Sequence, residues 1–273
     1  MDILTKTVSK LALSEWRWKV DKNECPLTMQ SSKSFKGVYV TSNQEVSTGQ
    51  IVTTEFACGT IPTGMHYNRV CHSCFQYPLT KATVRDDCNN VFFCSKNCMV
   101  NQSNFLDLWS FTIRKMTRPA DDSLILALKI LYESDDVLSK ILALKTHEND
   151  ELKASAYRLH NYLVETSTTI ESTRKLKDIT FDTIFQLLKV IRYNSQCVSV
   201  TQLPNTSLLC ILPTLARVNH DCRPNTLLIY SAISSAKAQL MNKSILVHMV
   251  AADDVQIGTE LTMSYLGNLC TPR

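Results

Sequence analysis

"LARVNHDCRPNTLLIY", Leu215–Tyr230, sets the polar and turn-forming segment Asn219–Asn225 between two apolar runs. A buried polar group without a hydrogen-bond partner costs roughly 1–3 kcal/mol. A chain that places Asn219, His220, Asp221, Cys222, Arg223 and Asn225 at the start or end of a buried strand must therefore leave them in water or use them. Read alone, the heptad is either a solvated turn or the lining of a polar site. The rest of the chain decides.

With 273 residues, 44% hydrophobic and 20% charged, the chain is globular and long enough for one large domain or two smaller ones. Its net charge of +4 is too mild to point to nucleic acid, which calls for a concentrated basic patch. No apolar run is long enough to cross a bilayer. The first twenty residues break their apolar run with Lys6, Lys10 and Glu15, unlike a secretory signal. Eleven cysteines are then expected to be reduced, in cytoplasm or nucleus, where close cysteine spacings indicate metal rather than disulfides.

Residues 35–61 are rich in Val, Thr, Tyr and Ile and read as strands. From about Asp121 the periodicity turns helical, in "DDSLILALKILYES", "DVLSKILAL", "DELKASAYRLHNYLVE" and "TFDTIFQLLKVIRYN", with Thr180–Asp182 as a cap for the last. After Asn194 the chain is β-rich again. Two glycines mark similar turn-to-strand units far apart, Gly49 in "EVSTGQIV" and Gly258 in "DVQIGTELTMSY". This pattern implies one β-rich domain whose halves are separated by insertions.

The first insertion carries "CHSC", Cys71–Cys74, and "CNNVFFCSKNC", Cys88–Cys98. Zinc takes four convergent soft ligands in a tetrahedron; a C-x2-C turn supplies two, and Cys94 with Cys98 at the first turn of a helix supplies two more. The segment resembles a MYND finger. That resemblance implies a zinc site of Cys71, Cys74, Cys94 and Cys98. The family's second site is not matched, because Arg85, Leu106 and Ser110 stand at ligand positions and leave Cys88 alone. One zinc is expected, and "RDD", Arg85–Asp87, reads as an exposed finger loop.

"NHDCRPN" resembles the N-H-S-C-x-P-N motif of SET-domain methyltransferases, with Asp221 for the usual Ser. "GTELTMSY", Gly258–Tyr265, is similar to the G-E-E-L-T-x-S-Y element of the same family. "VIRYNS" with Asn194 resembles its cofactor-binding segment, and "KGVY" falls on its G-x-G loop, with Tyr39 replacing the second glycine. A finger and then a helical insert between SET halves is the order of the SET and MYND (SMYD-like) protein-lysine methyltransferases, and the resemblance spans residues 34–266. It implies an α+β fold: a β-rich SET domain with knot-like C-terminal threading, interrupted by a small MYND-like zinc finger and a helical insert. The implied division is a leader (1–34), the N-terminal SET part (35–67), the finger (68–110), the helical insert (111–192), the C-terminal catalytic part (193–268) and a tail (269–273).

The resemblance also implies an S-adenosyl-L-methionine-dependent protein-lysine N-methyltransferase acting on a histone or non-histone protein. Tyr265 would be catalytic. Lys36, Gly37, Val38, Asn194, Asn219 and His220, together with Tyr265, would line the cofactor site. His66, His72, His147, His160 and His248 read as surface or packing residues. The post-SET C-x-C-x2-C segment of the family has no counterpart beyond Cys270, so Cys222 is expected to be metal-free and activity reduced or lost. The alternative is therefore a non-catalytic SET–MYND interaction module in transcriptional regulation. Expected partners are a protein bearing the target lysine and a peptide at the finger, with no membrane and no direct contact to nucleic acid.

Overall fold

The computed structural model describes residues 27–31, 38–63, 70–75, 84–86, 91–100, 102, 122–133, 135–167, 176, 178–199, 207–232 and 245–265. Lys36, Gly37, Cys88, Leu106 and Ser110 lie outside them. Strands and helices follow in the order β1 (Leu27–Ser31), β2 (Val38–Ser42), β3 (Ile51–Phe56), β4 (Cys58–Thr63), β5 (Val84–Asp86), β6 (Val91–Phe93), α1 (Lys96–Val100), α2 (Asp122–Leu131), α3 (Asp135–Leu142), α4 (Lys153–Ser167) and α5 (Phe181–Asn194). The chain then returns to strands: β7 (Ser195–Ser199), β8 (Ser207–Ile211), β9 (Asn219–His220), β10 (Thr226–Ala232), β11 (Ile245–Ala251) and β12 (Thr262–Met263). The fold is mixed α/β. No helix among the described residues is long and apolar enough to cross a membrane.

Two compact units result. Of the described residues, the first holds those within the ranges 1–54, 218–229 and 248–273, and the second those within 55–217 and 230–247. Strands β3, β10 and β11 form one sheet in the order β10-β11-β3.

In the first unit, β1 pairs antiparallel with β2, so part of the segment expected as a leader is strand. The two glycine turns face each other. Val46 and Val255, both buried, form an antiparallel bridge, and Gly49 N donates to Ala251 O as Gly258 N donates to Ser42 O. Both glycines have positive φ, the conformation that closes each turn. The Asp254 carboxylate accepts from the Thr48 amide and hydroxyl, at 2.8 and 2.9 Å, and these bonds hold its pKa below the ordinary carboxylate value.

The second unit is built on an antiparallel sheet of order β4-β8-β7, with a bulge in β4 between Cys58 and Ile61. Helix α2 runs "DSLILALKIL", so apolar side chains cover most of its circumference and it is buried nearly all round. It packs on β4 closely enough that a Cβ on Gly59 would stand 2.5 Å from Ile130 Cγ1. Helix α5 buries Ile184, Leu187, Leu188 and Ile191 against the same core, and Thr180 caps it by accepting from Thr183 N, as its sequence predicts. Arg85 and Asp86, expected in a loop, lie on β5, where alternating backbone pairing with β6 makes a short hairpin beside the cysteines.

Candidate functional site

Four cysteines of the second unit converge. The Sγ atoms of Cys71, Cys74, Cys94 and Cys98 all lie within 4.8 Å of one another, with Cys74–Cys94 at 3.5 Å and Cys94–Cys98 at 3.4 Å. Tetrahedral zinc, with Zn–S near 2.3 Å, separates its sulfurs by about 3.8 Å. The donor set fits, and the cluster can hold one zinc ion. It is the single such cluster among the described residues.

Local structure explains the convergence. The turn carrying Cys71 and Cys74 is closed by Phe75 N donating to Cys71 O, with Phe75 at a positive φ. His72 N donates to Phe92 O, which fastens the turn to β6. Ser95 accepts from Cys98 N and so caps α1, turning Cys98 back toward Cys94. Protonation is unevenly shared. A hydrogen bond from Cys74 and several from backbone amides bring Cys71 down to about 5, against its burial. Burial and the Cys71 charge push Cys94 up to about 12. Crowded sulfurs that cannot all ionise alone are what a dication resolves.

The same turn receives a lysine that the sequence reading did not select. Lys129 of α2 donates through Nζ to Thr60 O at 2.7 Å and to His72 O at 3.3 Å, and its ammonium stands 5.3 Å from the centre of the Phe75 ring. Burial pulls its pKa down to about 8, against the Glu133 carboxylate and the Cys71 thiolate.

In the first unit, the middle of Asn219–Asn225 (His220–Arg223) is exposed, while its two ends, Asn219 and Asn225, are bound to a partner segment. Strand β9 pairs parallel with β12, Asn219 opposite Thr262 and His220 opposite Met263, and Asp221 N extends the ladder to Met263 O. Asn225 clamps the partner segment: its Nδ2 donates to Glu260 O at 2.8 Å, and its Oδ1 accepts from Thr262 N at 2.9 Å and from the Thr262 hydroxyl at 3.3 Å. The buried Thr226 hydroxyl donates to Thr262 O. Asn219 Nδ2 donates to Glu260 Oε1 at 2.9 Å. Asp221 Oδ1 accepts from Arg223 N, an Asx turn that leads into Pro224. The opening stretch is polar in part because Asn219 and Asn225 carry hydrogen bonds to the segment Glu260–Thr262, which is paired alongside it.

Tyr265 lies at the end of this arrangement, 58% exposed. Its amide donates to His220 Nδ1 at 3.0 Å and its hydroxyl to Val218 O at 2.8 Å. An Nδ1 that accepts puts the neutral imidazole proton on Nε2, which then points at Cys222 Sγ, 3.4 Å away. Partial burial raises the Tyr265 phenol above its ordinary pKa, so it stays protonated near neutrality.

Of the residues singled out from the sequence, Asn219, His220 and Tyr265 are thus brought together. Val38 begins β2, and Lys36 and Gly37 lie outside the described residues. Asn194 belongs to the second unit, at the end of α5, where its Nδ2 donates to Lys145 O at 2.9 Å and to Val190 O at 3.1 Å. Three of the other histidines behave as packing groups: His248 hydrogen-bonds Thr54, and His147 and His160 meet the rings of Tyr193 and Phe181. Asn225, Glu260 and Lys129 were missed as site residues. For Asn225 the available signal was an amide set directly before the buried Thr226 of an apolar strand.

No family model matches the chain, and no curated protein matches it. Solved structures do. The SET domain of LSMT bound to lysine and AdoHcy shares 14% identity with a TM-score of 0.38, over 89% of this chain and 50% of that one. Rubisco LSMT bound to AdoMet shares 12% identity with a TM-score of 0.34, over 88% of this chain and 48% of that one. The chain spans about half the length of these structures.

Proposed function

We propose that the chain is an S-adenosyl-L-methionine-dependent protein-lysine N-methyltransferase of the SET and MYND kind, with Tyr265 at the transfer point. The observation that carries this reading is the hydrogen-bonding state of Tyr265. Its one hydroxyl proton is directed to Val218 O, so the oxygen retains acceptor capacity. Such an oxygen can accept a hydrogen from an approaching amine and turn the nitrogen lone pair toward an electrophile. His220 fixes the Tyr265 backbone through Nδ1, and Asn225 fixes the strand leading to it. Bound S-adenosylmethionine would supply an electrophilic methyl group. A lysine amine must be neutral to attack it, at roughly 4–5 kcal/mol from a reference pKa near 10.4 at pH 7. A phenol that stays protonated does not serve as the base here; it positions the amine, and positioning can itself supply much of the acceleration.

A non-catalytic interaction module is the second reading. It is favoured by Asn194, whose amide hydrogens are committed to the chain's own carbonyls. Calorimetric titration of the zinc-replete protein with S-adenosylmethionine separates the two. The enzyme reading expects binding that Tyr265→Phe keeps and Asn219→Ala loses. A wild-type protein with a native circular dichroism spectrum and no detectable binding would reject it in favour of the module.

A further inference from the structure

Zinc held by four thiolates carries two positive charges against four negative ones, a net −2 that is unfavourable in a partly desolvated setting unless nearby groups offset it. Three of the four cysteines here are buried, so water reaches the cluster poorly. Among the described residues, Lys129 brings an ammonium against the turn that bears them. Lys129 comes from α2, a helix otherwise made almost wholly of buried apolar residues, and its ammonium is acted on by both the Glu133 carboxylate and the Cys71 thiolate. Its Nζ bonds the carbonyl of His72, which sits between the ligands Cys71 and Cys74, and also Thr60 O of β4, while Phe75 offers its ring face. The same charge thus meets the metal turn, the strand under it and the helix that delivers it.

We propose that Lys129 is the counter-charge of the zinc site, so that metal binding and docking of the cysteine turn onto α2 and β4 are a single event. The proposal rests on the zinc reading of the cluster. In this role Lys129 is a positioning and charge-balancing residue, acting through the His72 carbonyl and through space on the thiolates. Loss of metal leaves Lys129 facing fewer negative charges, and loss of Lys129 leaves the tetrathiolate under-compensated.

The experiment measures zinc affinity of the full chain at pH 7 by competition with a chromophoric chelator, each variant being checked for native circular dichroism. Lys129→Gln keeps N–H donors for Thr60 O and His72 O but removes the charge. It is expected to bind zinc about 10- to 100-fold more weakly, the range for lost outer-shell partners. A structural role would give the same loss whatever the ligand charge, so the comparison is repeated with Cys94→His, which lowers the net charge of the site to −1. Halving the charge halves the electrostatic free energy, and the loss should shrink to about 3- to 10-fold. Lys129→Met, which fills the space with an apolar chain, serves in place of Lys129→Gln should the latter misfold, with the same ordering expected. Unchanged affinity on removing the charge overturns the proposal, and so does an equal loss in both backgrounds. A wild-type chain that binds no zinc sinks the zinc reading and this proposal together, whereas zinc bound equally by wild type and variants sinks this proposal alone.

Discussion

Replacing Asn225 by Ala tests whether the opening stretch works as a clamp. The substitution deletes three hydrogen bonds at once: the donor to Glu260 O at 2.8 Å and the acceptors for Thr262 N and Oγ1 at 2.9 and 3.3 Å. Each such bond contributes roughly 0.5–1.5 kcal/mol net, and a backbone group left unpaired adds to the loss. Water can reach Thr262, which is only half-buried, so the total is set at about 2–4 kcal/mol rather than the full desolvation penalty of every group. Urea unfolding of the zinc-replete protein measures it, and hydrogen exchange at the Thr262 amide locates it. Asn225→Asp keeps an acceptor for Thr262 N but loses the donor to Glu260 O, so it should fall between wild type and Ala. Since β12 leads directly into Tyr265, S-adenosylmethionine binding is expected to weaken in the same order. A loss below about 0.5 kcal/mol, with the Thr262 amide exchanging as in wild type, would refute the clamp.

Two further outcomes follow from geometry. Gly59→Ala sets a Cβ 2.5 Å from Ile130 Cγ1 and 3.0 Å from Leu126 Cδ1 at φ +61, whereas Gly49→Ala, at φ +85, meets nothing within 4 Å. Both should lose roughly 1–2 kcal/mol to the left-handed backbone, but Gly59→Ala should lose about 1–3 kcal/mol more by overpacking; equal losses in denaturant unfolding would show that α2 can retreat from β4 without penalty. Asp254 has a depressed folded pKa, so its contribution is present above the unfolded value near 3.9 and is lost as pH falls through the lower folded value. The melting temperature of Asp254→Ala should therefore trail wild type at pH 7 and converge with it below about pH 4, and a gap that persists into acid would assign the effect to packing.

Local signals in the sequence carried the helices and the metal turn. Thr180 caps α5 because a side-chain oxygen three residues from an amide is a neighbour relation, and Cys71, Cys74, Cys94 and Cys98 converge through two short spacings. What stayed hidden depends on distant partners. Nothing local in the sequence of its leucine-rich helix brings Thr60 and His72 beside Lys129. Asn194 sits in a segment resembling a cofactor-binding one, yet the chain's own Lys145 carbonyl takes one of its amide hydrogens. Leu27–Ser31, "LTMQS", lacks the alternating β-branched pattern that marks a strand, and it becomes one through its antiparallel register with β2. Asn219, His220 and Tyr265 could be named from their resemblance, but the direction of each proton came only from the geometry.

The pairing of the two glycine turns has a consequence for how the protein is made. Thr48 finds its partner Asp254 only at a sequence separation of 206. A ribosome adding about 5–20 residues per second needs roughly 10–40 s to bridge that gap. For that time the segment carrying Val40 and Val46 waits for Leu261 and Val255, whose backbones pair with theirs in the finished protein. The second unit, whose main run from Glu55 to Arg217 is contiguous, can begin folding during the wait. The half-made first unit is then the stage at which a nascent chain would most need a chaperone, and a slowly translated message should make that need greater.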